Sequence, residues 1–384
     1  MSAPAEPAQA ADASVPRMLV LGQSPLVLET VLGELGALGV AARGSVHPER
    51  AADDFEPGDF DLLALGGGVE AAVREAVKQA FARRNPAIRL LDTHAPVAAR
   101  QVAEALSLAP ADPPVDLDAY GARVGYDGPC EASLSVLRAL HERHPDAIPF
   151  EAIDVLLGRG VDIAPAAVEA KLIGRRRGGY CHEQNGLFRR VLTACGFQVD
   201  GLIARVRWLA PAGARPPGRT HMVLRVMLDG TPWLADVGFG SCVLTEPLRM
   251  DTTEPQPTRH DTFRLIPFGA ALLLQVRRDG TWLPVYEVFP EPQVQADYEL
   301  ANWYSSTHPD SHFRHGLMVA RTAPEARYAL RNNRLTVRRP DGETERRRLD
   351  ADDIEATLRE TFGLPVEPAW RPLIERAATA GGED

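Results

Sequence analysis

Three residues of the chain are of the types that together make a nucleophilic thiol: Cys181, His221 and Asp236. Cys181 lies in Arg175-Arg176-Arg177-Gly178-Gly179-Tyr180-Cys181-His182-Glu183-Gln184-Asn185-Gly186. Two glycines permit a sharp turn, and Cys181 then opens a helix whose apolar residues are Leu187, Phe188, Val191, Leu192 and Cys195. Gly196 ends that helix as a C-terminal glycine usually does. A cysteine at a helix start faces unpaired N–H groups and the positive end of the helix dipole, the setting of a nucleophilic thiolate. Most free cysteines are simply buried. Cys130 and Cys195 suit that plainer description, whereas Cys181 has polar and basic neighbours.

A nucleophilic thiol needs an imidazole partner, and the imidazole needs an orienting group. One hairpin supplies both. Thr220 to Leu228 reads as a strand, Asp229-Gly230 as a favoured two-residue turn, and Thr231 to Val237 as the returning strand. Counting outward from the turn puts Val223 opposite Asp236, with His221 on the same face and diagonal to it, about 7–8 Å away at the backbone. A one-residue slip would turn Asp236 to the other side. The expected use is Asp236 on Nδ1 of His221, leaving Nε2 towards Cys181. A surface contact is the commoner meaning of such a pair.

The elements that must hold these residues fall in three zones. Residues 17–110 alternate strands (18–21, 40–42, 62–65, 88–91) with helices (26–38, 69–84), implying a parallel sheet with flanking helices. This is a small Rossmann-like or receiver-like α/β domain. It lacks a GxGxxG turn, the chain has no GxxxxGK[ST], and the third strand has no aspartate at its tip. A disordered tail, 1–16, precedes it, and Leu108 to Asp118 reads as a linker. Helices then dominate 111–200, with Glu131 to His144 and Pro165 to Ile173 showing helical spacing. Strands dominate 201–300, and mixed structure returns over 301–375, with a strand at Arg334 to Arg338 and a helix at Asp352 to Phe362.

Composition narrows the function. The chain has 384 residues, 45% hydrophobic and 24% charged, enough for large cores. Net charge is −10, with 52 acidic against 42 basic residues, which argues against sequence-independent nucleic-acid binding. The start lacks a signal peptide, and no apolar run is long enough to span a bilayer, so the expectation is a cytoplasmic protein with no membrane partner. Four cysteines, at 130, 181, 195 and 242, show no CxxC pair and do not resemble a disulfide framework or a zinc site. His308, His312 and His315 cluster in a loop without a ligand-like carboxylate beyond Asp310, so no metal is expected. Arg175-Arg176-Arg177 suits either phosphate attraction or a solvated face.

Arg177-Gly178-Gly179-Tyr180-Cys181-His182-Glu183-Gln184-Asn185-Gly186-Leu187-Phe188, RTHMVLRV (219–226) and WLADVGFG (233–240) resemble the three catalytic segments of the arylamine N-acetyltransferases. The resemblance spans roughly 117–365, including Ala147-Ile148-Pro149-Phe150-Glu151 and the segment from Ala301 to Pro309. It implies an α+β fold of the cysteine-protease-like kind: a helical bundle, a β-barrel and an α/β lid. It implies Cys181 as nucleophile, His221 as base and Asp236 as orienter, with acetyl-coenzyme A as cosubstrate and a small amine as acceptor. Gly238, Phe239 and Gly240 are implied to lie against the coenzyme. Bacterial members commonly have Phe where this chain has His182, whose ring is expected simply to occupy that space. The family lacks the N-terminal domain.

The reaction implied is ping-pong acyl transfer through an acetyl-cysteine. Rivals are an amide synthase closing a macrolactam from a carrier-bound polyketide, a thiol hydrolase or transglutaminase on the same triad, and a binding or regulatory protein with a vestigial triad. The intact Cys, His and Asp weigh against the last.

Overall fold

A computed structural model describes residues 17–37, 39–93, 102, 114–211, 213 and 215–380. The expected tail 1–16 and most of the expected linker lie outside these residues. The chain divides into two compact units, 1–112 and 113–384.

In the first unit, strands β1 (Arg17–Leu21), β2 (Ala41–Ser45), β3 (Leu62–Gly66) and β4 (Arg89–Thr93) form a parallel sheet in the order β2-β1-β3-β4. Continuous apolar runs suit β1 and β3 because these central strands are covered on both faces. Helices α1 (Pro25–Ala37) and α2 (Ala71–Arg84) connect them. Two apolar clusters result, one around Met18, Val31 and Leu35 and the other around Leu19, Phe60 and Phe81.

The second unit runs from helical to β-rich to mixed structure. Helices α3 (Leu117–Val124), α4 (Leu134–Ala147) and α5 (Cys181–Ala194) pack around Leu137, Leu140, Phe188 and Leu192. Asp116 and Ser133 cap α3 and α4 through their side chains. The near-barrel middle is an eight-stranded antiparallel sheet of β6 (Gln198–Val206), β7 (His221–Leu228), β8 (Thr231–Ala235), β9 (Leu248–Arg249), β10 (Gln256–Pro257), β11 (Thr262–Phe268), β12 (Ala271–Arg278) and β13 (Thr281–Phe289). Alternate residues of these strands, among them Leu202, Val223, Leu234, Leu274 and Tyr286, fill its core. After α6 (Gln295–Thr307), strands β14 (Met318–Thr322), β15 (Arg327–Arg331), β16 (Arg334–Arg338) and β17 (Thr344–Arg348) build the lid sheet. The two-residue strand β5 (Phe150–Glu151), before the nucleophile, joins its edge beside β14. Helices α7 (Ala351–Glu360) and α8 (Arg371–Thr379) pack on that sheet through Ile354, Leu358 and Ile374. Among the described residues no helix is long and apolar enough to cross a membrane.

One expectation about the cysteines is overturned. Cys130 and Cys195 form a disulfide across 65 residues, leaving Cys181 and Cys242 as the free thiols. The low cysteine count and wide spacing carried no sign of it; the pairing arises because the loop after α3 folds back onto the end of α5.

Candidate active site

Cys181 is the first residue of α5 and is 5% exposed. The turn before it depends on glycine. A Cβ on Gly178 would collide with the Pro149 carbonyl and the Glu151 side chain. Tyr180 N–H donates to Glu183 Oε2 at 3.0 Å, closing the first helical turn. Gln184 Nε2 donates to the carbonyls of Pro149 and Gly179, both at 3.0 Å, pinning the turn to the segment before it.

The hairpin has the register expected of it, with Leu228 facing Thr231 and Leu224 facing Ala235. One residue further on, Asp236 leaves the ladder and turns to His221. His221 Nε2–H donates to Asp236 Oδ2 at 2.8 Å. This reverses the expected ring orientation: Nε2 serves the carboxylate, and Nδ1 is the nitrogen left for Cys181. The thiol lies close enough to the imidazole to favour its charged form and is 3.8 Å from the Thr220 carbonyl oxygen. The reversal follows from placement, because Asp236 sits beyond the last paired residue and meets the far side of the ring.

Asp236 is fully buried yet well served. Its Oδ1 accepts from Asn185 Nδ2 at 2.9 Å and from the Gly238 N–H at 3.0 Å. Burial opposes its charge, but His221, Asn185 and Gly238 outweigh burial and hold the carboxyl below its usual range. Burial likewise opposes the His221 cation, and Asp236 overcomes it, raising the imidazole to about 10. Asp236 therefore favours the charged form of His221, the form the ring reaches on accepting a proton at its other nitrogen.

Gly238 and Phe239 close the site. A Cβ on Gly238 would lie 2.8 Å from Cys181 Cα and 2.9 Å from Asn185 Nδ2, so only glycine lets this loop touch the helix. The half-buried Phe239 ring stands edge-on to His221 with centroids 5.1 Å apart, and Gly240 packs near Phe150.

Five supporting residues escaped the sequence reading. Asn185 is one turn after Cys181 and so shares its face. Besides Asp236 it serves the Met222 carbonyl at 2.8 Å and the Val237 N–H at 3.0 Å. His141 Nε2 accepts from the Asp236 N–H at 3.1 Å. His144 Nε2–H donates to Gln184 Oε1 at 2.8 Å, while Tyr120 O–H donates to its Nδ1 at 2.9 Å. The i+3 and i+4 spacing from Cys181 was the available signal for Gln184 and Asn185.

Burial keeps His141 and His144 neutral, pushed down to about 4 and about 3. Between pH 6.5 and about 3 the unfolded chain binds a proton at His144 that the folded protein refuses. Stability from this group is full above that window and is lost as pH falls through it. His144→Gln should flatten the dependence of unfolding free energy on pH by about 1.4 kcal/mol per unit. Urea titrations at pH 6 and pH 4 measure it, and parallel slopes for the two proteins would refute a neutral buried His144.

His182 is 2% exposed, with its ring between Tyr180 and Tyr298, at centroid distances of 5.6 and 6.1 Å. Burial pushes it down to about 3. The arginine run divides. Arg175 and Arg176 are exposed, but Arg177 is 3% exposed, on Glu151 at 2.7 Å, on Asp154 at 3.1 Å and over the Trp370 ring. Lys171 completes this buried network, 2.7 Å from Glu183 and 2.8 Å from Asp154. Arg177→Met should lower the unfolding free energy by about 3–5 kcal/mol, because it takes the ion-pair partner from the fully buried Glu151 carboxylate. Denaturant titration checks this, and a loss under about 1 kcal/mol would mean the pairing is worth no more than a surface contact.

The His308 loop is held locally: His308 stacks on Tyr304, and His315 Nε2 donates to the Pro309 carbonyl at 2.6 Å. Among the described residues no three His, Cys, Asp or Glu side chains are placed to hold a metal ion.

Comparison with known proteins bears on the second unit. A family pattern described as N-acetyltransferase matches residues 133–371. The arylamine N-acetyltransferase of Mycolicibacterium smegmatis is 44% identical over 269 residues, covering 69% of this chain and 98% of that one. The solved arylamine N-acetyltransferase of M. tuberculosis superposes with a TM-score of 0.66 at 40% identity, covering 68% of this chain and 100% of that one. The Mycobacterium marinum enzyme, solved in complex with CoA, gives 0.65 at 40% identity, covering 68% and 98%. By fold, by the matching family pattern and by identity across nearly the whole length of these relatives, the chain belongs to the arylamine N-acetyltransferase family.

Proposed function

We propose that the protein transfers an acetyl group from acetyl-coenzyme A to an aromatic amine through an acetyl-cysteine on Cys181. The observation that carries this is the hydrogen bond of one His221 nitrogen to the buried Asp236 carboxylate, with Cys181 near enough to the ring to favour its charged form and the other nitrogen left for the thiol. His221 takes the thiol proton through Nδ1, and Asp236 stabilises the imidazolium. The thiolate attacks the thioester carbonyl, the carbon–sulfur bond to coenzyme A breaks, and the departing thiolate recovers the proton. The amine then attacks acetyl-Cys181 and gives its proton to His221, and the cysteine leaves as thiolate. Backbone N–H groups at the start of α5 supply the oxyanion donors. Gly238, Phe239 and Gly240 lie against the coenzyme, with Phe239 the one partly exposed residue of the three.

The relatives' names favour acetyl-coenzyme A over a carrier-bound polyketide, and the charged, fully buried Asp236 supports a working rather than a vestigial triad. The test is intact-protein mass spectrometry after mixing with acetyl-coenzyme A in the absence of amine. The expected result is one acetyl group, discharged when an arylamine is added. A protein that stays unmodified while a carrier-bound acyl thioester loads it would overturn the choice of donor.

A further inference from the structure

The Cys130–Cys195 disulfide forms part of the wall of a cavity of about 670 Å³ in the helical part of the second unit. Leu140 and Val191 contribute apolar lining, and the exposed carboxylates of Asp118 and Asp127 also line it. The two cysteines differ in exposure: Cys130 is exposed in the loop after α3, whereas Cys195 is 5% exposed at the C-terminal end of α5. Glu131 adds a carboxylate next to Cys130, and the Arg143 guanidinium donates to the Gly125 carbonyl at 3.1 Å and lies over the Tyr126 ring. The wall is thus a reachable disulfide in a lining that carries two carboxylates and no cation.

We propose that Cys130–Cys195 is a thiol-exchange site whose ligand is a small cationic or neutral thiol that enters this cavity. It lies at the opposite end of α5 from Cys181 and does not rest on the acetyl-transfer reading. In the first step the thiolate attacks Cys130 Sγ, a mixed disulfide forms there, and Cys195 leaves as thiolate and takes a proton. A second thiol then displaces Cys130, so that two thiols are oxidised to their disulfide and the protein's disulfide is reduced to two cysteines. Exposed disulfides are the exchangeable ones, and Asp118 and Asp127 repel anionic thiols, coenzyme A included, more than they repel neutral or cationic ones.

The test uses the full chain kept free of reductant. It is exposed to cysteamine or to mercaptoethanesulfonate at low ionic strength, quenched by alkylation and mapped by peptide mass spectrometry. Each rate is divided by that thiol's rate with the neutral disulfide of 2-mercaptoethanol. The expected results are a linked Cys130–Cys195 peptide at the start and a first adduct on Cys130. The normalised rate should be several-fold higher for cysteamine, a preference that shrinks in high salt and in Asp118→Asn/Asp127→Asn. An absent linked peptide, a first adduct on Cys195 or only on Cys181, or equal normalised rates would overturn the proposal.

Discussion

Cys181→Ala is expected to lose acetyl loading entirely and to lower arylamine acetylation by about 10⁶-fold, the scale on which removal of a triad nucleophile acts. The other cysteines offer no substitute. Cys130 and Cys195 are bonded to each other, and Cys242 is 1% exposed in the barrel core, where burial raises its thiol above the ordinary range. Only Cys181 combines the start of a helix with a nearby imidazole. The fold should survive, because alanine keeps the backbone that Gly238 packs against. The measurement pairs initial rates with intact mass after acetyl-coenzyme A. Acetyl retained by the variant, or mapped to Cys242 in the wild type, would remove Cys181 from its role.

Asp236→Asn should cost about 10⁴-fold in transfer rate, as loss of the orienting acid does in other triads. The direction of the effect follows from Asn185. Its Nδ2 donates to Asp236 Oδ1, as does the Gly238 N–H, so the amide oxygen of the variant must take that place. The amide nitrogen then faces His221 Nε2, which has to become an acceptor. The ring proton moves to Nδ1, and the nitrogen towards Cys181 can no longer take a proton. Alkylation of Cys181 by iodoacetamide should therefore shift to higher pH while circular dichroism stays unchanged. Coincident labelling profiles for the two proteins would show that Asp236 merely shapes the turn before Gly238.

Much of this arrangement was legible from residue order. The hairpin count brought His221 and Asp236 to one face because Asp229-Gly230 sets the register without tertiary help. The helix opened by Cys181 was plain from its apolar spacing and from Gly196. The parallel sheet of the first unit showed in the alternation of short apolar runs with helices. What stayed hidden depended on distant partners. The disulfide needs the loop after α3 to reach the end of α5, and nothing local to either cysteine says so. The orientation of His221 depends on where Asp236 lands after leaving the strand. Strand β13 went unread because Pro284 interrupts it; the proline is tolerated at a register shift opposite Leu274 and Gln275. Arg177 looks like its exposed neighbours in sequence, and only the approach of Glu151, Asp154 and Trp370 sets it apart.

The strand Phe150–Glu151 has a bearing on how the protein becomes active during folding. Its residues pair with Ala320 and Val319 of the lid sheet on one side, while Phe150 bridges Gly179 in the turn before the nucleophile on the other. The shape of that turn is thus tied to chain made long after it. Contacts so far apart in sequence form late, because a large loop must close before they add any stability. Helix α5 and the hairpin of β7 and β8 rest mostly on nearer neighbours and mature earlier. A nascent or refolding chain accordingly gathers its thiol, imidazole and carboxylate before the turn that aims the thiol is locked, and acetyl transfer is among the last properties it acquires.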